Sequence, residues 1–236
     1  MTMVRDLRLP ESTISRVWTS LEIDGYALTS DEELGVDPPF RKHMQNSYFD
    51  AGKIRRPITD MPPDRERARD VLRYEWRGEE DLRLSEHHTT ALVDRGDQAG
   101  TREYHRVLVL DDELFRDWVY RVLHLVPPAQ RRPSGTFGVN LFRTRTRVVT
   151  KPHRDDEELI VTYVVDRHGE GAESVLIDPV STEEALRVQL QPGELLIFSD
   201  ARFLHSVTPL VPAADGAAVR DALVCTVDYP RPGGRA

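Results

Sequence analysis

From about residue 136 the chain becomes a succession of short apolar runs separated by Gly, Pro and Asp turns, at 136–143, 158–166, 173–178, 186–190, 194–199, 203–208 and 219–229. Strands this short and this numerous cannot form an open parallel sheet, which needs long helical crossovers. They predict a β-sandwich or barrel. The expected architecture is mainly β with α: a double-stranded β-helix, the cupin-type jelly roll, spanning 136–230 and flanked by N-terminal helices. Pro192-Gly193 before Glu194-Leu195-Leu196-Ile197-Phe198 reads as a turn leading into a fully buried strand.

The first 135 residues read as a helical and irregular part packed on that core. With no linker composition between the parts, 1–236 is expected to form a single domain. Ile14, Val17, Trp18 and Leu21 recur at helical spacing, which predicts a helix over 11–23 capped by Ser12 or Thr13. Tyr26-Ala27-Leu28 starts a short strand, and the Pro-rich stretch 30–62 reads as loops with short irregular pieces. Pro63-Asp64-Arg65-Glu66-Arg67 is expected to open a helix or turn ahead of a strand at 71–76. The charged stretch 78–103 reads as a strand pair or a mobile loop over the site. Asp111-Asp112-Glu113 starts a second helix with Leu114, Phe115, Trp118, Val119 and Val122 on one broad face, stopped by Pro127-Pro128.

A chain of 236 residues buries enough surface to be stable without staples. Its one cysteine, Cys225, excludes an internal disulfide framework and a Cys-rich zinc site, and reads as a small buried hydrophobe. A formal net charge of −8 disfavours nonspecific binding to phosphate backbones, so nucleic acid is not an expected partner. Neither an apolar run after the first charges nor a stretch approaching 18 apolar residues is found. No secretory signal and no membrane span are therefore expected, and the expected location is cytoplasmic.

Within this frame His153-Arg154-Asp155 carries the chemistry. Two side chains two residues apart on a strand point to one face. Fifty residues after Asp155, His205 follows in Phe203-Leu204-His205-Ser206, far enough for several intervening strands. Two histidines and one carboxylate form a facial triad that holds Fe(II) and leaves positions open for other ligands. The candidate catalytic and metal-binding residues are thus His153, Asp155 and His205. Arg220, fifteen residues further on, opens a strand on which Ala222, Val224 and Thr226 share its face. A guanidinium among such neighbours needs an anionic partner, and its planar fork matches a carboxylate. Arg220, with Asn140 and Thr226, makes up the candidate cofactor side, the cofactor being 2-oxoglutarate as co-substrate with Fe(II) and O2. Arg143 and Asp156 are the candidate substrate contacts, for a carboxylate and an amine. Pleating puts Asn140 and Arg143 on opposite faces, so one pocket does not take both without a bulge. His43, His105, His124 and His168 stand alone and read as surface or satisfied histidines; His87-His88 lies in a charged stretch.

Three stretches then resemble a known family: Val139-Asn140-Leu141-Phe142-Arg143; Lys151-Pro152-His153-Arg154-Asp155; and Asp166-Arg167-His168-Gly169-Glu170-Gly171-Ala172-Glu173-Ser174, joined by Leu204-His205-Ser206-Val207-Thr208-Pro209 and Arg220-Asp221-Ala222-Leu223-Val224-Cys225-Thr226. They are similar to the bacterial Fe(II)/2-oxoglutarate dioxygenases that hydroxylate free L-amino acids, typified by L-isoleucine dioxygenase. The resemblance covers roughly 136–229. It implies a jelly roll, with His153, Asp155 and His205 on iron and Arg220 on the oxoacid. The chain departs from the family pattern at Asp156, where glycine often follows the His-x-Asp, and at Ala172, where a second glycine is usual.

The function expected is oxidation of a C–H bond in a small free amino acid or derivative, with succinate and CO2 as co-products. Two alternatives stay open: a metal-binding cupin without 2-oxoglutarate chemistry, acting as an isomerase or binding module, and a protein-side-chain hydroxylase.

Overall fold

The computed structural model describes residues 7–50, 52–54, 65–87, 91–93, 101–103, 106–145 and 151–228. The chain opens with helix α1 (Glu11–Ile23) and strand β1 (Tyr26–Ser30), followed by short helices α2 (Asp31–Leu34) and α3 (Pro39–Met44) and a π-helical turn at Gln45–Phe49. The strands β2 (Arg65–Trp76), β3 (Leu82–Glu86), β4 (Ala91–Val93) and β5 (Thr101–Glu103) lead to helix α4 (Glu113–His124). Then come β6 (Ser134–Thr144), β7 (Leu159–His168), β8 (Glu170–Gly171), β9 (Ser174–Ile177), β10 (Glu184–Val188), β11 (Glu194–Ser199), β12 (Leu204–Val207), β13 (Leu210–Val211) and β14 (Val219–Asp228).

A large antiparallel sheet runs β1-β11-β7-β14-β6-β2-β3, and a small sheet runs β10-β9-β12. The fold is mainly β, as the turn spacing predicts. The large sheet is buried on both sides, so its central strands read as continuous apolar runs. In β11, Leu195 and Ile197 join the core under the helices, with Val17, Phe40, Trp118 and Val122. Leu196 and Phe198 point the other way, joining Ile160, Val164, Leu176, Leu190 and Phe203 between the two sheets. This alternation gives the sheet a structural face and a site face.

The N-terminal 135 residues do more than cover the core. β1 pairs with β11 along Tyr26–Ser30, and β2 pairs with β6 from Arg65 to Glu75. The helix or turn expected at 63–67 is replaced, from Arg65 on, by strand. Alternation of Arg65, Arg67 and Arg69 with Glu66, Ala68 and Asp70 is a period of two, and a long pairing partner outweighs the weak β propensity of the charged residues. Asp70 is buried and accepts hydrogen bonds from Arg106 Nε (3.0 Å) and from the Val109 amide (3.0 Å), which pins the segment entering α4 onto β2. The pairings of β3 with β2 and of β4 with β5 supply the strand pairs expected in 78–103; residues 88–90 and 94–100 lie outside the described residues.

α1 begins as expected but has no side-chain cap. Pro10 occupies the N-cap position, and Thr13, proposed as a cap, is buried with Val17 and Leu21. In α4 the Asp112 carboxylate accepts from the Phe115 amide, and Phe115, Trp118, Val119 and Val122 are buried as the spacing predicts. Cys225 is buried and free. No helix among the described residues is long and apolar enough to cross a membrane.

Candidate functional site

His205 lies on β12 and His153 on the segment beside it. Their backbones form an antiparallel bridge, His153 N–H to His205 O at 3.1 Å and His205 N–H to His153 O at 2.9 Å. The bridge sets the rings side by side, with centroids 4.2 Å apart. Asp155 completes the cluster: His153 Nε2 lies 3.4 Å from its Oδ1 and His205 Nε2 lies 3.7 Å from its Oδ2. One ligand atom from each of the three residues falls within 4.8 Å of the others, close enough for one ion. Burial pushes the Asp155 carboxyl up, but the His153 hydrogen bond and the charges of His205, His153 and Arg69 outweigh it and hold the group below its ordinary value. The hydrogen bond to Asp155 is the main reason His153 is raised above its ordinary value.

Both imidazoles are held from behind. His153 Nδ1 lies 2.9 Å from the Lys151 carbonyl, which can only accept, so Nδ1 carries a proton, and Nε2, which faces Asp155, is the nitrogen that could serve an ion on giving up its own. His205 Nδ1 lies 3.3 Å from Asp200 Oδ1, within ion-pair distance though not aligned as a hydrogen bond. Asp200 is 1% exposed, and its Oδ2 accepts from the Asp155 amide (3.0 Å) and the Glu157 amide (3.2 Å). One buried carboxylate thus stands beside a histidine of the cluster and holds the loop that carries Asp155. Sequence reasoning missed Asp200. The available signal was an acidic residue directly after the apolar run 194–198, where a solvated turn is the usual reading.

The loop ties to β14. Glu158 N–H donates to Val227 O and Asp200 N–H to Glu158 O, so the triad sits near the Thr226 end of that strand. Arg220 lies six residues back, about 20 Å along the strand. Its side chain is buried, and its Nε and Nη2 have no hydrogen-bond partner among the described residues. Burial, with the Arg167 charge beside it, pushes the guanidinium down to about 10. Arg167 is its register partner on β7 and is itself held by the carbonyls of Leu190, Gly169 and Gly171. A buried guanidinium with a half-buried one beside it, and with two nitrogens lacking a hydrogen-bond partner among the described residues, fits an anionic group from outside the chain. The donor set on the other side, two imidazoles and one carboxylate with open positions, fits Fe(II).

The remaining candidates separate. Register puts Asn140 opposite Val224 and Gly138 opposite Thr226, on the face that carries Arg220. Asn140 spends one amide proton on the Val224 carbonyl at 3.1 Å. Thr226 is buried at the triad end. Arg143 faces the helices instead, as the pleat requires. It is 8% exposed: its Nε and Nη2 bind Asp221 at 2.8 and 2.6 Å, Nη2 also reaches Asp50, and Nη1 donates to the Phe49 carbonyl. The substrate role expected for Arg143 gives way to a structural ion pair under the helices. Asp156 is exposed on the ligand loop with φ of 61°. Ala172 also has positive φ, at 48°. Both departures from the family's glycines therefore fall at left-handed positions, where glycine carries no steric penalty. His43 binds Asp112, His124 binds the Tyr120 carbonyl and His168 binds Asp215, so these three are satisfied histidines. His88 and His105 lie outside the described residues.

Solved structures share this fold along nearly the whole chain. A bsmA homolog from Methylobium petroleophilum PM1 aligns over 97% of both chains with a TM-score of 0.76 at 18% identity. IDO from Bacillus thuringiensis aligns over 97% of this chain and 100% of its own, with a TM-score of 0.71 at 17% identity. The Fe(II)/(alpha)ketoglutarate-dependent dioxygenase TqaL aligns over 94% of this chain and 90% of its own, with a TM-score of 0.67 at 14% identity. Comparison with curated proteins by sequence finds no match. The model of the 2OG-Fe dioxygenase family matches residues 57–226, from β2 to β14 and including the triad and Arg220. The chain belongs to the 2OG-Fe dioxygenase family and is an Fe(II)- and 2-oxoglutarate-dependent dioxygenase.

Proposed function

We propose that His153, Asp155 and His205 hold the iron, that Arg220 binds the distal carboxylate of 2-oxoglutarate, and that the substrate oxidised is a small free amino acid or derivative. The observation that carries the reading is the pairing of the three-residue cluster with a buried guanidinium on the same face whose Nε and Nη2 lack a hydrogen-bond partner among the described residues. Iron and the oxoacid supply, when bound, an oxidant for a C–H bond at the expense of decarboxylating 2-oxoglutarate to succinate and CO2.

The chain's own residues bind and orient. Lys151 O and Asp200 fix the two rings with Nε2 toward the metal, and Asp155 keeps its charge. Arg220 offers a fork that a carboxylate can occupy with two hydrogen bonds. The apolar side chains between the sheets, with Phe198 against His205 at 5.3 Å between centroids, limit water around the reacting atoms. Thr226, at the triad end of β14, and Asn140 complete the cofactor side of this reading, and Asp156 stands at the rim where a substrate amine would pass. The amino-acid substrate is supported by the sequence resemblance. A cytoplasmic location belongs to the same reading.

The test is anaerobic titration of 2-oxoglutarate into Fe(II)-loaded protein, followed by the visible charge-transfer band, in wild type, Arg220→Ala and His205→Ala. The band should form in wild type, require far more oxoacid in Arg220→Ala, and be lost in His205→Ala. A normal titration in Arg220→Ala moves the anchor elsewhere, and full iron binding by His205→Ala removes the ligand assignment.

A further inference from the structure

The site face of β7 carries Ile160, Thr162 and Val164 in line, one polar side chain between two apolar ones. Register places Thr162 opposite Val224 on one side and Leu196 on the other. Ile160, Val164 and Leu196 belong to the core between the sheets, and Val224 packs against it. Thr162 is 8% exposed. Among the described residues nothing hydrogen-bonds its hydroxyl, and the oxygen is not sealed in but opens onto the space between the sheets.

Strand structure does not ask for that hydroxyl. Valine has the same branched shape, a similar preference for strands and none of the cost of taking a hydroxyl out of water. A donor held at the centre of an apolar stripe finds its use in a ligand.

Arg220 indicates what the ligand offers. Its two unpartnered nitrogens, Nε and Nη2, form one edge of the guanidinium. Arg143 presents the same edge to Asp221, with Nε at 2.8 Å and Nη2 at 2.6 Å from the two carboxylate oxygens. The open edge of Arg220 therefore matches a carboxylate as well. A carboxylate gripped by such a fork still has lone pairs free, and a hydroxyl beside it can donate to one of them.

Thr162 stands where that carboxylate falls. The row of Asn140, Val224 and Thr162 lies about 7 Å along β14 from Thr226, at the triad end, and about 13 Å from Arg220. 2-Oxoglutarate is a five-carbon chain, much shorter than the whole span. Held at iron by one end, it puts its distal carboxylate between the triad end and the Arg220 backbone, with the long side chain of Arg220 reaching toward it. A ligand joining the two has to lie over the Thr162 row.

We propose that the Thr162 hydroxyl is a second donor to the distal carboxylate of 2-oxoglutarate and, with Arg220, makes the pocket selective for a dicarboxylic oxoacid. The proposal rests on the iron and oxoacid assignments above.

The experiment follows the charge-transfer band of the anaerobic Fe(II)-loaded protein in wild type, Thr162→Val, Thr162→Ser and Arg220→Ala. Each is titrated with 2-oxoglutarate and with 2-oxopentanoate, which has the same chelating end but a methyl group in place of the distal carboxylate. Thr162→Val should need about tenfold more 2-oxoglutarate, the worth of one hydrogen bond to a charged group, and should titrate with 2-oxopentanoate as wild type does. Thr162→Ser keeps the hydroxyl and should stay close to wild type. Without ligand, Thr162→Val should melt at or above the wild-type temperature, since the hydroxyl it loses has no protein partner. An unchanged 2-oxoglutarate requirement in Thr162→Val, an equal loss in Thr162→Ser, an equal loss with 2-oxopentanoate, or a melting temperature well below wild type would each overturn the proposal. Those results beside a strong loss in Arg220→Ala overturn it alone. No band in wild type, or a normal titration in Arg220→Ala, defeats the assignments on which it rests.

Discussion

Arg143 and Asp221 stand directly opposite each other on β6 and β14, joined by two parallel hydrogen bonds of 2.8 and 2.6 Å in a region that excludes water. The pair lies on the helix side of the large sheet, one residue along β14 from the guanidinium on the site side. A single strand thus devotes adjacent residues to stability and to function, separated only by the pleat.

Removing one partner of this pair leaves a buried charge without compensation. Asp221→Ala and Arg143→Ala should each lower stability by about 3–5 kcal/mol, whereas the double replacement Arg143→Met/Asp221→Leu should return most of the loss. Urea unfolding of the four proteins measures this. A double replacement as unstable as the single ones would mean the pair holds more than itself.

Asp200 supports His205 and the Asp155 loop without being placed to touch the metal. Asp200→Asn should keep the fold and lower Fe(II) affinity by about 10- to 100-fold, with a smaller loss for Asn than for Ala because the amide oxygen can still accept from the Asp155 and Glu157 amides. Competition for iron against a chelator of known affinity reports this. Iron binding that is unchanged in both variants would confine Asp200 to loop stability.

Asp156 and Ala172 hold left-handed backbone angles that L-residues enter at a cost of about 1 kcal/mol. Asp156→Gly and Ala172→Gly should therefore each stay neutral or gain up to about 1 kcal/mol despite the greater freedom of the unfolded chain. The exposed Asp156 should show the clearer gain, since Ala172 also loses a buried methyl. Thermal melting of both variants decides, and a clear destabilisation of Asp156→Gly would show that its side chain contributes more than its backbone costs.

His124 is held below its ordinary value mainly by burial, with Arg131 adding to the shift against the pull of the Tyr120 carbonyl. A histidine kept neutral in the fold takes up its proton more readily when unfolded. Its contribution is complete above the ordinary value of about 6.5 and is lost as pH falls through it. Stability between pH 7 and 5 should fall, and His124→Gln should flatten the slope by up to about 1.4 kcal/mol per pH unit. Denaturation midpoints across that range test it, and an unchanged slope would assign the pH dependence to other groups.

The jelly-roll strands were legible because each is a local pattern: an apolar run between turn residues keeps its length and face wherever it packs. Spacing in the sequence picks out His153, Asp155, His205 and Arg220, but a bridge to β12 and a loop, not the strand expected, bring His153 and Asp155 together with His205. β2 was half missed, since charged residues at 65–70 suggest solvent and only pairing with β6 explains them as strand. Arg143 and Arg220 look alike in sequence. Which one meets a carboxylate of its own protein depends on the register between β6 and β14, a contact between segments 78 residues apart. Asp200 likewise gains its role from amides 45 and 43 residues away. Local pattern is enough for most strands, their faces and the residue types that can hold iron. Which charges are satisfied by packed neighbours, and which of the described ones are left to meet a ligand, follows from long-range register, because burial and partnership are properties of the folded contacts.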